Sequence, residues 1–187
     1  MLAWLAAEVT AGHTAALDAA VRNSVYSWAS PPLTVAMWFF TGVGSGLVLF
    51  LLAGAAVGVL QRRGEKRKAW TFAIAMTGAL LLEVSLKLVV HRERPVPFFG
   101  IAPPESYSFP SGHALLSFTF FAMLAALLAP RSALAWIAAA FLIAMIGFSR
   151  IYLGVHYPTD VIGGYLTGLA WLSVLYFGDS SERCRPR

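Results

Sequence analysis

Long, unbroken apolar blocks govern what this chain can fold into. They run over about Leu33–Leu60, Trp70–Val90, Ala114–Ala129, Ala133–Phe148 and Val161–Phe177. A bilayer core roughly 30 Å thick takes about 20 such residues per helix. A closed β-barrel, the other spanning solution, would show alternation instead of continuous runs. Composition agrees, with 58% of the 187 residues hydrophobic, only 12% charged and a mean hydropathy of +0.70. That is too little charge to cover a soluble domain. The expected fold is therefore all-α: one polytopic membrane helix bundle over residues 1–187, with about five transmembrane helices. The third and fourth blocks are short, so their helices must extend into flanking residues or stand nearly upright.

Ahead of these blocks, Leu2, Leu5, Val9, Leu17 and Val21 recur at helical spacing beside Glu8, His13, Asp18 and Arg22. Residues 1–30 thus read as an amphipathic helix at the membrane interface, with a short tilted span against the bundle as the alternative. They lack the basic start of a cleaved signal peptide. His13 reads as structural. Gly42/Gly46, Gly54/Gly58 and Gly164/Gly168 are pairs four apart, spaced for close helix approach. Trp4, Trp28, Trp38, Trp70, Trp136 and Trp171 mostly fall near block ends, where aromatic belts sit.

The net charge of +5 is gathered in short clusters between the blocks, which suits anionic headgroups and phosphates and points away from nucleic acid. Arg62, Arg63, Lys66, Arg67 and Lys68 share one connection, Arg131 lies in another, and Arg183, Arg185 and Arg187 lie in the tail 178–187. Five spans put these segments on one side, which the positive-inside rule makes cytoplasmic. The connections His91–Gly112 and Arg150–Tyr157 then face outward although they are basic too, so their charges call for a functional explanation. The single cysteine, Cys184, has no internal disulfide partner, no Cys/His metal cluster is evident, and nothing specifies an oligomeric state.

Three outward segments carry chemistry. Lys87, Arg94 and Arg150 offer three cations, two of them guanidiniums whose forked donors match phosphate oxygens. Ser111 and Gly112 open the third block, where free backbone N–H groups and the positive helix end favour an anion. A glycine there lets the backbone approach closely. His113 follows, placed to handle a proton on the same anion. His156 and Asp160 are four apart, with Pro158 near the first turn of the last helix. A carboxylate there can hold one imidazole nitrogen and expose the lone pair of the other, leaving the histidine itself as a nucleophile. Simpler readings exist for single residues. Lys87 can snorkel with Glu83 as its ion-pair partner one turn earlier. His91 and Arg92 suit headgroup or loop contacts, and Glu105 and Tyr107 leave both readings open.

Taken together, Lys87-x6-Arg94-Pro95, Pro110-Ser111-Gly112-His113 and Ser149-Arg150-x5-His156-x3-Asp160 resemble, in order, the three signature motifs of the type 2 phosphatidic acid phosphatase superfamily. The resemblance implies that His156 attacks phosphorus and forms a phosphohistidine while Asp160 orients it. His113 protonates the leaving oxygen and later activates water. Lys87, Arg94, Ser111, Gly112 and Arg150 bind the phosphoryl oxygens, and no metal or other cofactor is required. The implied function is a bacterial inner-membrane phosphatase acting at the extracytoplasmic face on a membrane lipid phosphate or pyrophosphate, such as undecaprenyl pyrophosphate, phosphatidylglycerol phosphate or phosphatidic acid. A lipid phosphotransferase of the same superfamily and a non-enzymatic lipid-binding or transport protein are the alternatives.

Overall fold

In the computed structural model the chain is a bundle of α-helices; it describes residues 1–102 and 104–183, so Cys184, Arg185 and Arg187 lie outside the described residues. Eight helices follow in order: α1 Leu2–Thr10, α2 Ala15–Tyr26, α3 Pro31–Val43, α4 Gly46–Arg62, α5 Lys66–Val90, α6 Gly112–Leu128, α7 Ala133–Tyr152 and α8 Pro158–Arg183. By length and apolarity α5, α7 and the stretch Pro158–Phe177 of α8 each suffice to cross a membrane. The pair α3 and α4 passes the same test together, and α6 is shorter.

α6 is the axis of the bundle. It carries no charged side chain apart from His113 when protonated, and it is apolar all round, which is how a helix reads when it is enclosed on every side. Its neighbours are α4, α5, α7 and α8. Leu115, Leu116, Phe120 and Phe121 of α6 join Leu49 of α4, Phe72 and Met76 of α5 and Ile146 of α7 in the main core. Phe72 and Phe120 meet edge-on at 5.6 Å between ring centres. The buried hydroxyls of Ser117 and Thr119 donate back to carbonyls of their own helix, so the core is polar-satisfied there. Val35, Phe39, Leu51, Ile74, Leu81, Ile137, Phe141 and Leu169 point outward and are exposed. A continuous apolar exterior of this kind is what lipid covers.

Several elements depart from the sequence reading. The block Leu33–Leu60 is two helices bent by 50° at the break between Val43 and Gly46. Ser45 caps the second of them, accepting from the Val48 N–H, so the local capping signal wins over the continuous apolar pattern. Residues 1–30 form two helices instead of one, parted at Gly12, whose φ of +77° is open to glycine without strain. Of the small-residue pairs, only Gly164/Gly168 serves close approach throughout, against Ser111, Ala114 and Phe118 of the α6 region. Side chains added at Gly42, Gly54 or Gly58 would meet open space. Trp171 is no belt residue: its indole N–H donates to the Ala75 carbonyl at 2.9 Å, and its ring packs where Gly78 leaves room. His13, read as structural, pairs with Glu8 at 2.9 Å.

Candidate active site

Helix ends converge at one end of the bundle: the start of α4, the end of α5, the start of α6 and the end of α7 border one cavity, with His156 just before the start of α8. α7 runs four residues past the expected block, so Ser149 and Arg150 belong to its last turn. Pro158 begins α8, which places Asp160 in the first turn and His156 in the short connection just before it. This is the arrangement expected from the spacing, since proline is tolerated at a helix start, where its missing N–H is not needed.

The His156 ring is almost wholly buried and is held from both edges. Its Nδ1 lies 3.3 Å from Asp160 Oδ2, and Nε2 lies 2.9 Å from Arg94 Nη1. Since Arg94 only donates, Nε2 must be the acceptor, and the proton of the neutral ring sits on Nδ1 facing the carboxylate. Burial pushes the His156 imidazole down to about 4, against the pull of Asp160 and with the help of Arg94 and Arg150. The ring is therefore neutral near pH 7, with its lone pair directed away from Asp160.

On that open side lies a cavity of about 440 Å³ lined by Lys87, Arg94, Gly112, His113, Arg150 and His156, among others. The sequence-predicted residues from three separate segments thus meet in one place. Arg94 is fixed by donating to the Ser106 carbonyl at 2.6 Å and the Val155 carbonyl at 2.9 Å. Burial lowers the pKa of its guanidinium, opposed by Asp160 and Glu83. Arg150 donates to the Thr41 hydroxyl, while its Nε is buried with no partner. Ser111 is the N-cap of α6, yet its Oγ makes no cap bond and is likewise buried without a partner. Unpaired buried donors are costly, and here Arg150 lines the cavity while Ser111 directly precedes Gly112, which lines it at a helix N-terminus. Such a constellation suits a phosphoryl group. Lys87 lines the cavity and also pairs with Glu83 at 2.7 Å. Among the described residues, no group of three or more His, Cys, Asp or Glu is arranged to hold a metal ion.

Behind Asp160 lies a network that the sequence reading missed. Arg92, expected at headgroups or in loop contacts, turns inward: Nη1 donates to Asp160 Oδ1 at 2.6 Å and Nη2 to Asp18 Oδ2 at 2.7 Å. Two fully buried carboxylates draw it in, because neither can be buried without a partner. Burial alone would lower the Arg92 pKa, but Asp160 and Asp18 outweigh that and raise it. Its guanidinium also lies 4.1 Å over the Tyr157 ring. Asp18, from α2, accepts from the Thr159 N–H at 3.0 Å and its hydroxyl at 2.7 Å, capping the first turn of α8. Ser108 donates to Asp160 Oδ2 at 2.5 Å, and the Tyr157 N–H donates to the same atom at 2.9 Å. In sequence Asp18 is only one of the polar residues beside the apolar positions of an amphipathic helix. Its partners Arg92 and Thr159 lie 74 and 141 residues away in sequence.

The PAP2 superfamily model matches residues 68–181. Phosphatidylglycerophosphatase B of Bacillus subtilis is 30% identical over 198 residues, covering 98% of this chain and 94% of its own length. An undecaprenyl-diphosphatase of Sulfolobus acidocaldarius is 37% identical over 110 residues, 56% of this chain and 52% of the relative. Among solved structures, the transmembrane PAP2-type phosphatidylglycerolphosphate phosphatase from Bacillus subtilis superposes with a TM-score of 0.86 at 25% identity, covering 98% of this chain and 94% of the other. The likeness reaches the N-terminal helices as well as the three motifs. With its apolar helices and this shared fold, the chain belongs to the PAP2 superfamily, as an integral-membrane phosphatase.

Proposed function

We propose that the protein hydrolyses the phosphate or pyrophosphate headgroup of a membrane lipid through a phosphohistidine on His156. The observation that carries this reading is the two-sided setting of that ring. Asp160 accepts a hydrogen bond from the Nδ1–H, and the Nε2 lone pair faces a cavity lined by Lys87, Arg94 and Arg150. Arg94 moves from the lone pair to a phosphoryl oxygen as phosphorus approaches. Lys87, Arg150, the Ser111 hydroxyl and the Gly112 N–H take the remaining oxygens and stabilise the charge that develops there. His113 gives its proton to the leaving oxygen, then draws one from the water that attacks the phosphohistidine. The phosphate leaves, and His156 is regenerated.

Relatives named as phosphatidylglycerophosphatase, undecaprenyl-diphosphatase and lipid A 1-phosphatase support a lipid phosphate or pyrophosphate as substrate; undecaprenyl pyrophosphate, phosphatidylglycerol phosphate and phosphatidic acid are the candidates. Exposed apolar faces on α5 and α7 let the lipid tail stay in the bilayer while its headgroup reaches the cavity. The basic connection between α4 and α5 lies at the opposite end of the bundle. By the positive-inside rule this favours the reading of a cavity on the extracytoplasmic side of the inner membrane. A phosphate-release panel on purified protein in detergent, spanning these three lipids with His156→Ala as blank, tests the reading. Release by the wild type and none by the variant is expected, and EDTA should leave the rate unchanged. Equal release by His156→Ala overturns the mechanism.

A further inference from the structure

The cavity that is built for an anion already contains one. Among the described residues lining it, Glu83 is the one carboxylate. It sits on α5 one turn before Lys87, and the Lys87 ammonium donates to its Oε1 at 2.7 Å. Both side chains are about seven-eighths buried, at 14% and 13% exposure, so solvent screens this pair weakly. The carboxylate also lies against the first residue of α6. A side chain at Gly112 would collide with it. The space that the missing Cβ leaves is therefore taken by Glu83, beside the same helix opening whose Ser111 hydroxyl has no partner. Glu83 further borders an adjoining cavity of about 480 Å³ with Val84, Leu88 and Tyr107, which opens along the lipid-facing side of α5. It stands where that side opening meets the phosphate-binding cations.

We propose that Glu83 is a specificity-determining residue: a resident anion that holds Lys87 and the opening of α6, and that a substrate phosphate must displace. Built on the reading above, this gives Glu83 a task in the cycle. Each phosphate that enters exchanges places with the carboxylate at Lys87, and after hydrolysis the carboxylate returns and drives inorganic phosphate out. A lipid substrate keeps its hold through its tail while it competes; free phosphate has no such hold. Glu83 thus weakens the product more than the substrate and keeps the enzyme from filling with phosphate.

A plain structural role predicts the opposite sign. If Glu83 merely aimed Lys87, removing its charge would misplace the ammonium and weaken phosphate binding. The test is equilibrium binding of inorganic phosphate to purified wild type, Glu83→Gln and Glu83→Asp, followed by calorimetry or phosphorus NMR, with no turnover needed. Glutamine keeps the size and an oxygen for Lys87 but removes the charge. Phosphate should bind Glu83→Gln about five- to tenfold more tightly than wild type, the scale of one partly screened charge contact. Glu83→Asp should stay within about twofold of wild type. In a Lys87→Met background the gain should vanish, because the contested cation is gone. In turnover, Glu83→Gln should show stronger inhibition by added phosphate. Equal or weaker phosphate binding by a folded Glu83→Gln overturns the proposal while leaving the phosphatase reading intact. Absence of phosphate binding by wild type and variant alike overturns the phosphate site itself, and this proposal with it.

Discussion

The two edges of the His156 ring face regions built on opposite rules. Behind Nδ1 every buried charge has a partner: Asp160 is held by Arg92, Ser108 and the Tyr157 N–H, and Arg92 is held in turn by Asp18. In front of Nε2, donors outnumber acceptors: Lys87, Arg94 and Arg150 line the cavity with Glu83 as its one carboxylate among the described residues, and Arg150 Nε is buried with no partner. A satisfied network is rigid, because moving any member exposes a buried charge. An unsatisfied one is destabilising by itself and gains most when an anion arrives. The difference separates what positions the nucleophile from what receives the substrate, and substitutions in the two regions should fail in different ways.

The largest effect is expected where the regions meet. Asp160→Asn keeps the size of the side chain but favours the wrong tautomer of His156, so kcat should fall by about 10⁴ with KM little changed. Steady-state kinetics on the best substrate of the panel checks this, and a loss confined to KM would blur the division between back and front.

In front, Lys87→Ala should lower kcat/KM by about 10²–10³, as for removal of one donor to a charged transition state. It should cost less thermal stability in detergent than a change behind the ring, because Glu83, left without its ion-pair partner, still borders the cavity. Behind, Asp18→Ala should show the converse. It uncaps Thr159 and leaves Arg92 half-paired, so stability should drop by about 3 kcal/mol, while kcat falls only about tenfold and KM stays put. If Asp18→Ala raised KM without lowering the unfolding temperature, α2 would belong to the substrate side.

A graded effect is expected in pH. The folded pKa of His156 lies near 4 and the unfolded one near 6.5. Between those values the unfolded chain binds a proton that the folded chain refuses. The stability present above pH 6.5 is therefore lost progressively as pH falls toward 4. His156→Asn should lose less stability across that window than wild type, in unfolding scans at matched pH. The acid limb of kcat/KM, corrected for the ionisation of the substrate phosphate, should likewise lie near pH 4 instead of 6.5.

The front region was legible in the sequence because its residues are local. Lys87 and Arg94 flank one helix end, Ser111 to His113 open another, and the four-residue step from His156 to Asp160 is short enough to read with Pro158 as a guide. Membrane helices were legible for the same reason, as continuous apolar runs. The back region was not. Arg92 stands two residues from Arg94 and looks no different from it in sequence; what turns it inward is Asp18, which chain order places 74 residues away. The bend between α3 and α4 hid inside a run read as one apolar block, although Gly44 and Ser45 sit at the break and Gly46 follows them. Trp171 sat at a plausible belt position, and only the gap at Gly78 on another helix reveals why it points inward. Properties set by neighbours in sequence were readable, and those set by neighbours in space were not.

The central claim is that His156 carries the phosphoryl group. Rapid acid-free quenching of the enzyme during turnover of a lipid labelled in its phosphate, followed by peptide mass spectrometry, tests it directly. The account predicts a phosphoryl group on His156, stable to base and labile to acid, that accumulates when His113→Ala slows hydrolysis and is absent from His156→Ala. Label on another residue, or full turnover by His113→Ala and wild type with none on His156, would contradict it.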